Sequence, residues 1–162
     1  INIALIEYNQ PVLGIIYAPV FGSLFFSKKN NGSYKIYTKN NLNTLKNSEK
    51  ISVKYTNNEK IRVIGSRSHS NIAFDNWVKK KFTNFEIIEK GSSLKFCEIA
   101  EGKADIYPRF GPTSEWDIAA GHIILLEAGG KLKSIDNKDL VYNKKEDILN
   151  PHFFAYAHDA LL

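Results

Sequence analysis

The most constraining feature of this sequence is a helical segment that carries almost no polar side chains. Residues 117–128 read DIAAGHIILLEA, and after the initial Asp117 only His122 and Glu127 interrupt the apolar pattern before two glycines end the segment. A helix that is apolar on nearly every side is covered by other elements on nearly every side. The segment therefore predicts an interior helix packed between two sheets.

Strand and helix patterns surround this segment. Residues 1–37 contain short β-branched and aromatic runs separated by short gaps, which predicts an antiparallel meander. Residues 38–60 are rich in Asn and Lys and predict a long connection that includes one short strand. From there strands alternate with helices as far as a last predicted strand at 131–135, so residues 61–162 predict a layered α/β domain.

The charge balance and the cysteine content restrict the class of protein. Lysine and arginine total 22 against 17 acidic residues, and the net charge of +5 mildly favours anionic partners such as phosphates. Cys97 is the single cysteine, which excludes a disulfide framework within the chain and is typical of a reducing compartment. The short basic run at 78–82 indicates a solvated helix face, so we expect no nucleic-acid partner.

The beginning of the sequence bears on membrane association and on chain length. No apolar run there reaches the roughly 20 residues of a membrane span. We therefore expect a cytoplasmic protein without an integral membrane segment, and peripheral attachment at the inner membrane stays open as an alternative. The sequence contains no methionine and opens within a strand pattern. For these reasons we expect the later part of a longer chain.

Asp117, at the entrance of the apolar helix, has two interpretations. An aspartate at a helix start accepts hydrogen bonds from backbone N–H groups and opposes the helix dipole. The same carboxylate is an oxygen ligand of the kind that Mg²⁺ takes together with water and substrate phosphate. The two roles are compatible and both stay open. Its neighbour Trp116 is expected to pack against the turn.

A second candidate site is the segment KGSSLK at residues 90–95. Ser92 and Ser93 at a helix start present hydroxyl groups together with free backbone N–H groups, which is a typical arrangement for binding an anion. Lys95 lies one turn further on and can add a positive charge. The alternative interpretation is an ordinary serine cap followed by a solvated lysine.

A third candidate is the loop GSRSHS at residues 65–70, which follows a predicted strand. In open α/β sheets ligands bind beyond the carboxyl ends of the strands, and Arg67 and His69 could hold a phosphate there or stack on a base. Arg109 also lies at a strand end, before a Gly-Pro turn. The alternatives are a polar capping loop for the first segment and a surface ion pair for Arg109.

Other residues that could carry chemistry are interpreted as structural. Cys97 lies among apolar residues of a predicted helix, which favours buried packing over use as a nucleophile. His122 lies within the apolar helix and is expected to be a core histidine with a hydrogen-bond partner. The sequence has no Ser/His/Asp order, no Cys/His ligand spacing and no Gly-rich phosphate loop, so it gives no signal for covalent catalysis or zinc.

Taken together, these segments resemble a known family of phosphatases. GSRSH at 65–69, the stretch 91–130 with its Trp-Asp-x-Ala-Ala-Gly signature, and LNPHF at 149–153 occur in the order seen in the inositol-monophosphatase-like, metal-dependent phosphatases. The opening residues 2–20 are similar as well. The sequences GSSLKFC and YPRFGPT resemble the 3′(2′),5′-bisphosphate nucleotidase branch of that family rather than the inositol phosphatases.

The resemblance implies a fold, a reaction and a set of site residues. The implied fold is a layered α/β/α/β/α sandwich, here truncated to part of the first antiparallel sheet plus the C-terminal α/β domain. The implied reaction is Mg²⁺-dependent removal of the 3′-phosphate of adenosine 3′,5′-bisphosphate, which serves sulfur assimilation. Asp117 matches a catalytic, metal-binding aspartate that also contacts substrate. The positions that match nucleotide-contacting residues are His69, Ser92, Lys95 and Arg109, with Ser93 and Arg67 as weaker additions.

The sequence departs from the family at the metal site. Members of the family carry an earlier Glu-Glu segment and an Asp-Pro-x-Asp-Gly-Thr segment that supply most metal ligands, and neither occurs here. One carboxylate holds Mg²⁺ poorly, because the ion needs several fixed oxygens. We therefore expect that a missing N-terminal half is needed for the full metal site and that residues 1–162 alone do not turn over substrate.

Two alternatives to a bisphosphate nucleotidase remain at this stage. The first keeps the chemistry but changes the substrate to inositol phosphate or fructose bisphosphate. The second is a non-catalytic module that binds nucleotides or assembles with a partner carrying the other half. In either case the predicted strands of 1–37 would leave an exposed sheet edge, which predicts association and poor solubility.

Overall fold

The computed structural model describes residues 1–38, 47–55, 60–66, 72–144 and 146–162. In these ranges ten strands form two five-stranded sheets that enclose a central helix. The strands are β1 (Asn2–Glu7), β2 (Gln10–Ala18), β3 (Ser23–Lys28), β4 (Ser33–Tyr37), β5 (Glu49–Ile51), β6 (Ile61–Ser66), β7 (Phe85–Lys90), β8 (Ile106–Arg109), β9 (Lys131–Ser134) and β10 (Phe153–Tyr156). The helices are α1 (Ile72–Lys81), α2 (Leu94–Ala100) and α3 (Glu115–Glu127), with short 3₁₀ turns at Pro19–Phe21 and Asp159–Leu161.

The first sheet has the order β1-β2-β3-β4-β5, in which β1 to β4 are the predicted antiparallel meander and β5 comes from the segment predicted as a connection with one short strand. Tyr8 and Asn9 turn the chain between β1 and β2 with φ values of 49° and 63°, the left-handed conformation that two-residue hairpin turns require. Strand β1 is an edge strand in this sheet, and its Ile3 and Leu5 are exposed. This geometry supplies the free edge expected from the sequence, and association through it remains a prediction.

The second sheet mixes parallel and antiparallel pairs, in the order β7-β6-β8-β10-β9. Strand β6 runs parallel to β7 and β8, whereas β10 runs antiparallel to β8 and β9. The sequence prediction was wrong to place the last strand at 131–135, because β10 follows it. All residues of β10 are buried, so this short strand lacks the polar and apolar alternation that marks a half-exposed strand.

The central helix α3 confirms the prediction of an interior helix between two sheets. On one side Ile124 packs in a cluster with Ile16 and Phe25 of the first sheet. On the other side Leu125 packs in a cluster with residues of the second sheet, among them Phe153. A Cβ atom on Gly14 would lie 2.6 Å from the Ala120 carbonyl oxygen. Glycine at this position therefore allows the helix to approach the backbone of β2.

The helices of this fold are short relative to the thickness of a membrane. Helix α3 has 13 residues, which corresponds to roughly 20 Å at 1.5 Å per residue, against about 30 Å for a bilayer core. Within the described ranges, no helix combines the length and the apolar character needed to cross a membrane.

Candidate functional site

Several of the residues singled out from the sequence line one cavity of about 260 Å³. The cavity lies where β8 ends and where α2 and α3 begin. The predicted site residues that line it are Ser92, Ser93, Lys95, Arg109 and Asp117. Arg67 and His69 lie outside the described residues, although Ser66, which precedes them, also lines the cavity. The fold thus brings together three segments that are separate in the sequence.

The two serines before α2 do not form the ordinary side-chain cap. Ser92 has a φ of 53°, which is unusual for a residue other than glycine. Ser93 occupies the N-cap position with helical dihedral angles and makes no side-chain cap hydrogen bond. Its hydroxyl instead donates to Oδ1 of Asn2 at 2.7 Å, across to β1 of the first sheet.

Lys95 is buried rather than solvated, with 6% of its surface exposed. Its Nζ donates to the Ser92 carbonyl oxygen at 3.2 Å and lies 5.2 Å from the ring centroid of Tyr107. Burial, together with a smaller effect of repulsion from Arg109, lowers the pKa of Lys95 to about 8, and Asp117 partly opposes the shift. The amine is mostly charged at neutral pH, and it forms no ion pair within the described ranges.

Arg109 leaves a hydrogen-bond donor unused in the cavity wall. Its Nη2 donates to the Pro112 carbonyl oxygen at 2.9 Å, while its buried Nε has no hydrogen-bond partner among the described residues. An unpaired buried donor costs about 1–3 kcal/mol, and an anionic ligand is a natural partner for it. Arg109 forms no ion pair within the described part of the chain, so the surface ion pair considered from the sequence does not occur there.

Asp117 lies in the first turn of α3, where its Oδ2 accepts a hydrogen bond from the Ser114 backbone N–H at 2.8 Å. The capping interpretation is therefore correct. Because a carboxylate has several lone pairs, this bond leaves acceptor capacity for a ligand. The expectation that Trp116 packs the turn is wrong, because this residue is 62% exposed on the first turn of α3.

The charged side chains that line the cavity are better suited to binding an anion than a metal ion. Its lining contains the cations Lys95 and Arg109 and the carboxylate Asp117. In the described ranges no three His, Cys, Asp or Glu side chains come together as metal ligands. Mg²⁺ requires a near-octahedral set of oxygens. The described residues therefore do not by themselves fit a Mg²⁺ ion, whereas they do fit a phosphate group.

Comparison with known proteins places this geometry in a family. The model of the inositol monophosphatase family matches residues 1–162. The chain belongs to the inositol monophosphatase family. Among curated relatives, it is 40% identical over 159 residues to "3′(2′),5′-bisphosphate nucleotidase CysQ" of Buchnera aphidicola, covering 97% of this chain and 56% of the relative. It is 37% identical over 153 residues to the protein of the same name in Salmonella typhimurium, covering 94% of this chain and 58% of the relative.

A solved structure of the same family has the same fold. The crystal structure of CysQ from Bacteroides thetaiotaomicron superposes with a TM-score of 0.87 at 40% identity, over 96% of this chain and 61% of that one. The chain thus spans somewhat more than half the length of the relatives it matches. Members of this family with known structures share the two-sheet arrangement, and the predicted α/β layered fold is confirmed.

Sequence patterns did not single out Tyr107, which lines the cavity, or Asn2, which contacts the lining residue Ser93. Tyr107 lies two positions before Arg109 on β8, and side chains two apart in a strand lie on the same face. This spacing could have identified it. Burial raises the pKa of Tyr107, and Arg109 opposes the shift. Asn2 had no local signal, because its contact with Ser93 joins residues 91 positions apart.

The residues interpreted as structural are indeed in the core. Cys97 is buried, and burial raises the pKa of its thiol well above the usual value. His122 is 3% exposed, and its Nδ1 lies 2.8 Å from the hydroxyl of Tyr142. Burial lowers the pKa of His122 to about 4, so the imidazole is neutral at physiological pH. Both predictions are confirmed, and neither residue lines the cavity.

Proposed function

We propose that this chain carries the nucleotide-binding side of a phosphomonoesterase that removes the 3′-phosphate of adenosine 3′,5′-bisphosphate. The observation that carries the proposal is the cavity in which Lys95, Arg109 and Asp117 meet. Membership of the inositol monophosphatase family supports a phosphatase. The names of the curated relatives support the choice of a nucleoside bisphosphate as substrate.

In this proposal Lys95 and Arg109 bind the phosphate groups. Lys95 offers a compact charge whose position is set by the Ser92 carbonyl and the Tyr107 ring. Arg109 offers Nε, which lacks a partner among the described residues, and a planar group suited to two parallel hydrogen bonds with phosphate oxygens. A substrate with two phosphate groups would use both cations and would compensate the positive charge of the cavity. Ser92, with Arg67 and His69, is proposed to contact the nucleotide.

Asp117 is proposed as one carboxylate ligand of Mg²⁺ in the complete protein. The position of its carboxylate is fixed by the Ser114 N–H and by the buried helix behind it. We propose that the remaining ligands come from parts of the complete protein outside the described residues, which supply no further carboxylates at the cavity. For this reason we expect residues 1–162 alone to bind nucleotide without turning it over.

A second candidate is a nucleotide-binding module without catalytic activity. The lack of a group of metal ligands among the described residues favours it. Both candidates predict nucleotide binding by the cavity, and they differ in phosphate release. The alternative substrates, inositol phosphate and fructose bisphosphate, differ from the nucleotide because neither carries a base or a nucleoside ribose. Comparing rates on the three compounds therefore distinguishes them.

The test compares residues 1–162 with the product of the complete reading frame. Phosphate release is measured with Mg²⁺ from adenosine 3′,5′-bisphosphate, inositol 1-phosphate and fructose 1,6-bisphosphate, and binding is measured by calorimetry. We expect the complete protein to prefer the adenosine bisphosphate and residues 1–162 to bind it without release. Binding without release by the complete protein would favour the module, and no response to the nucleotide in either protein would reject both candidates.

A further inference from the structure

Asn2, in the first sheet, reaches the cavity through Ser93. Asn2 is the first residue of β1 and pairs with Ile16 of β2. Its Oδ1 accepts a hydrogen bond of 2.7 Å from the hydroxyl of Ser93. Ser93 is 5% exposed and lines the cavity. This contact therefore joins the edge strand of one sheet to the wall of a cavity built on the other.

The same contact helps to hold α2, together with the ion pair of 2.6 Å between Glu98 of this helix and Lys90 of β7. This helix has seven residues, and a helix of that length has little stability of its own. Its beginning is held by Asn2, and its end is held where Glu101 forms an ion pair of 2.5 Å with the buried Lys35 of β4. Both partners belong to the first sheet. The first turn of α2 contains Lys95, so the location of this amine depends on how firmly the helix is held.

The direction of the hydrogen bond decides what Ser93 can offer a ligand. A serine hydroxyl has one proton to donate and two lone pairs that accept. Because the Ser93 hydroxyl donates to Asn2, the capacity it retains for a further partner is that of an acceptor. Lys95 and Arg109 carry only donors. Ser93 is therefore suited to a hydroxyl or amino group of the ligand, while the two cations are suited to its phosphate groups.

We propose that Asn2 is a positioning residue of the nucleotide cavity, acting through Ser93 to fix the start of α2 and the direction of the Ser93 hydroxyl. This inference rests on the proposed function and extends it, because Asn2 is not among the positions that match nucleotide-contacting residues. Asn2 contributes to ligand affinity and takes no part in the chemical step.

The test is a double-mutant cycle in the complete protein. The variants are Asn2→Ala, Ser93→Ala and the double variant, and Glu7→Gln at the other end of β1 is the matched control. Steady-state rates with adenosine 3′,5′-bisphosphate give KM and kcat separately. Loss of one oriented hydrogen bond is expected to raise KM about 3- to 10-fold in each single variant. The double variant should be no worse than either single one, and kcat should stay within about twofold.

Each result of the double-mutant cycle supports or overturns the proposed role of Asn2. Equal KM values in wild type and Asn2→Ala would overturn the proposal, as would independent, multiplying effects of the two substitutions. Folding is checked by circular dichroism, and Asn2→Asp, which keeps an acceptor oxygen, should recover most of any melting temperature lost in Asn2→Ala. If wild type binds the nucleotide without turnover, the proposed function fails. The role of Asn2 is then tested by the same double-mutant cycle with Kd in place of KM. If wild type neither binds nor turns over the nucleotide, both are rejected.

Discussion

The pKa of Lys95 predicts a pH dependence of nucleotide affinity that an ordinary lysine would not show. With a pKa of about 8, the amine is about 90% protonated at pH 7 and about 10% protonated at pH 9, whereas a lysine at about 10.4 stays charged over this range. The phosphate groups of the ligand have their second pKa near 6 and are doubly charged throughout. KM for adenosine 3′,5′-bisphosphate should therefore rise up to about tenfold between pH 7 and pH 9.

Two substitutions isolate this effect. Lys95→Arg keeps a charge that does not titrate below about pH 12, so its KM should be nearly independent of pH from 7 to 9. Lys95→Met removes the charge and should give a raised KM that is equally flat. The assay is the initial rate of phosphate release by the complete protein, or calorimetric binding where turnover is absent. An increase in wild-type KM below about twofold, or an equal increase in Lys95→Arg, would refute the reasoning.

The same titration affects stability, with the opposite direction in pH. The folded state holds the Lys95 proton less tightly than the unfolded state, so the unfolded state binds more protons between pH 8 and 10.5. Stability contributed by Lys95 therefore rises with pH across that window, by about 3 kcal/mol in total. Bound nucleotide should reduce this slope, because a phosphate group stabilises the charged amine.

Three further predictions concern catalysis, packing and acid stability. Asp117→Asn in the complete protein should lower kcat at least about 100-fold, since it removes the charge of a proposed metal ligand. Glu127→Ala should lower the free energy of unfolding in urea by about 2 kcal/mol, because the Glu127 carboxylate accepts hydrogen bonds from the backbone N–H groups of Asn30, Asn31 and Gly32. His122, neutral when folded and with its pKa lowered to about 4, binds its proton more readily when unfolded. Its contribution is present above pH 6.5 and is lost toward pH 4, by about 3 kcal/mol, and His122→Gln should flatten that part of the urea-derived stability profile.

Each of these predictions has a result that would contradict it. Unchanged kcat in Asp117→Asn would contradict the proposal that Asp117 is a metal ligand, whether or not the loss of the cap lowers the stability of α3. For Glu127, the matched control is Glu127→Gln, which keeps the size of the side chain but weakens it as an acceptor. Equal stability of wild type, Glu127→Ala and Glu127→Gln would show that the turn between β3 and β4 does not depend on this carboxylate. A wild-type profile that is flat between pH 7 and pH 4 would contradict the account of His122.

Sequence patterns were sufficient to predict those helices and strands whose environment is uniform along their length. The apolar run of α3 indicated an interior helix because every face of a sandwiched helix contacts protein. The meander of the first sheet was predictable because consecutive strands with short turns pair with their neighbours. Candidate residues such as Ser92, Lys95 and Arg109 were found because they lie at element ends, where ligands of α/β folds bind.

Other features were decided only when distant parts of the chain met. Strand β10 lies between β8 and β9 in the second sheet, an order that no short-range pattern gives. The lowered pKa of Lys95 depends on its burial, with the Tyr107 ring beside the amine, and on repulsion from Arg109, and both of these residues belong to another element. The Ser93 hydroxyl donates a hydrogen bond to Oδ1 of Asn2, 91 positions away, instead of capping its own helix. The sequence by itself indicated α3, the meander of β1 to β4 and candidate residues such as Lys95 and Arg109, because those signals lie in neighbouring residues. The tertiary structure decides the order of the second sheet, the charge state of Lys95 and the hydrogen-bond partner of Ser93, because these depend on which distant groups lie beside one another.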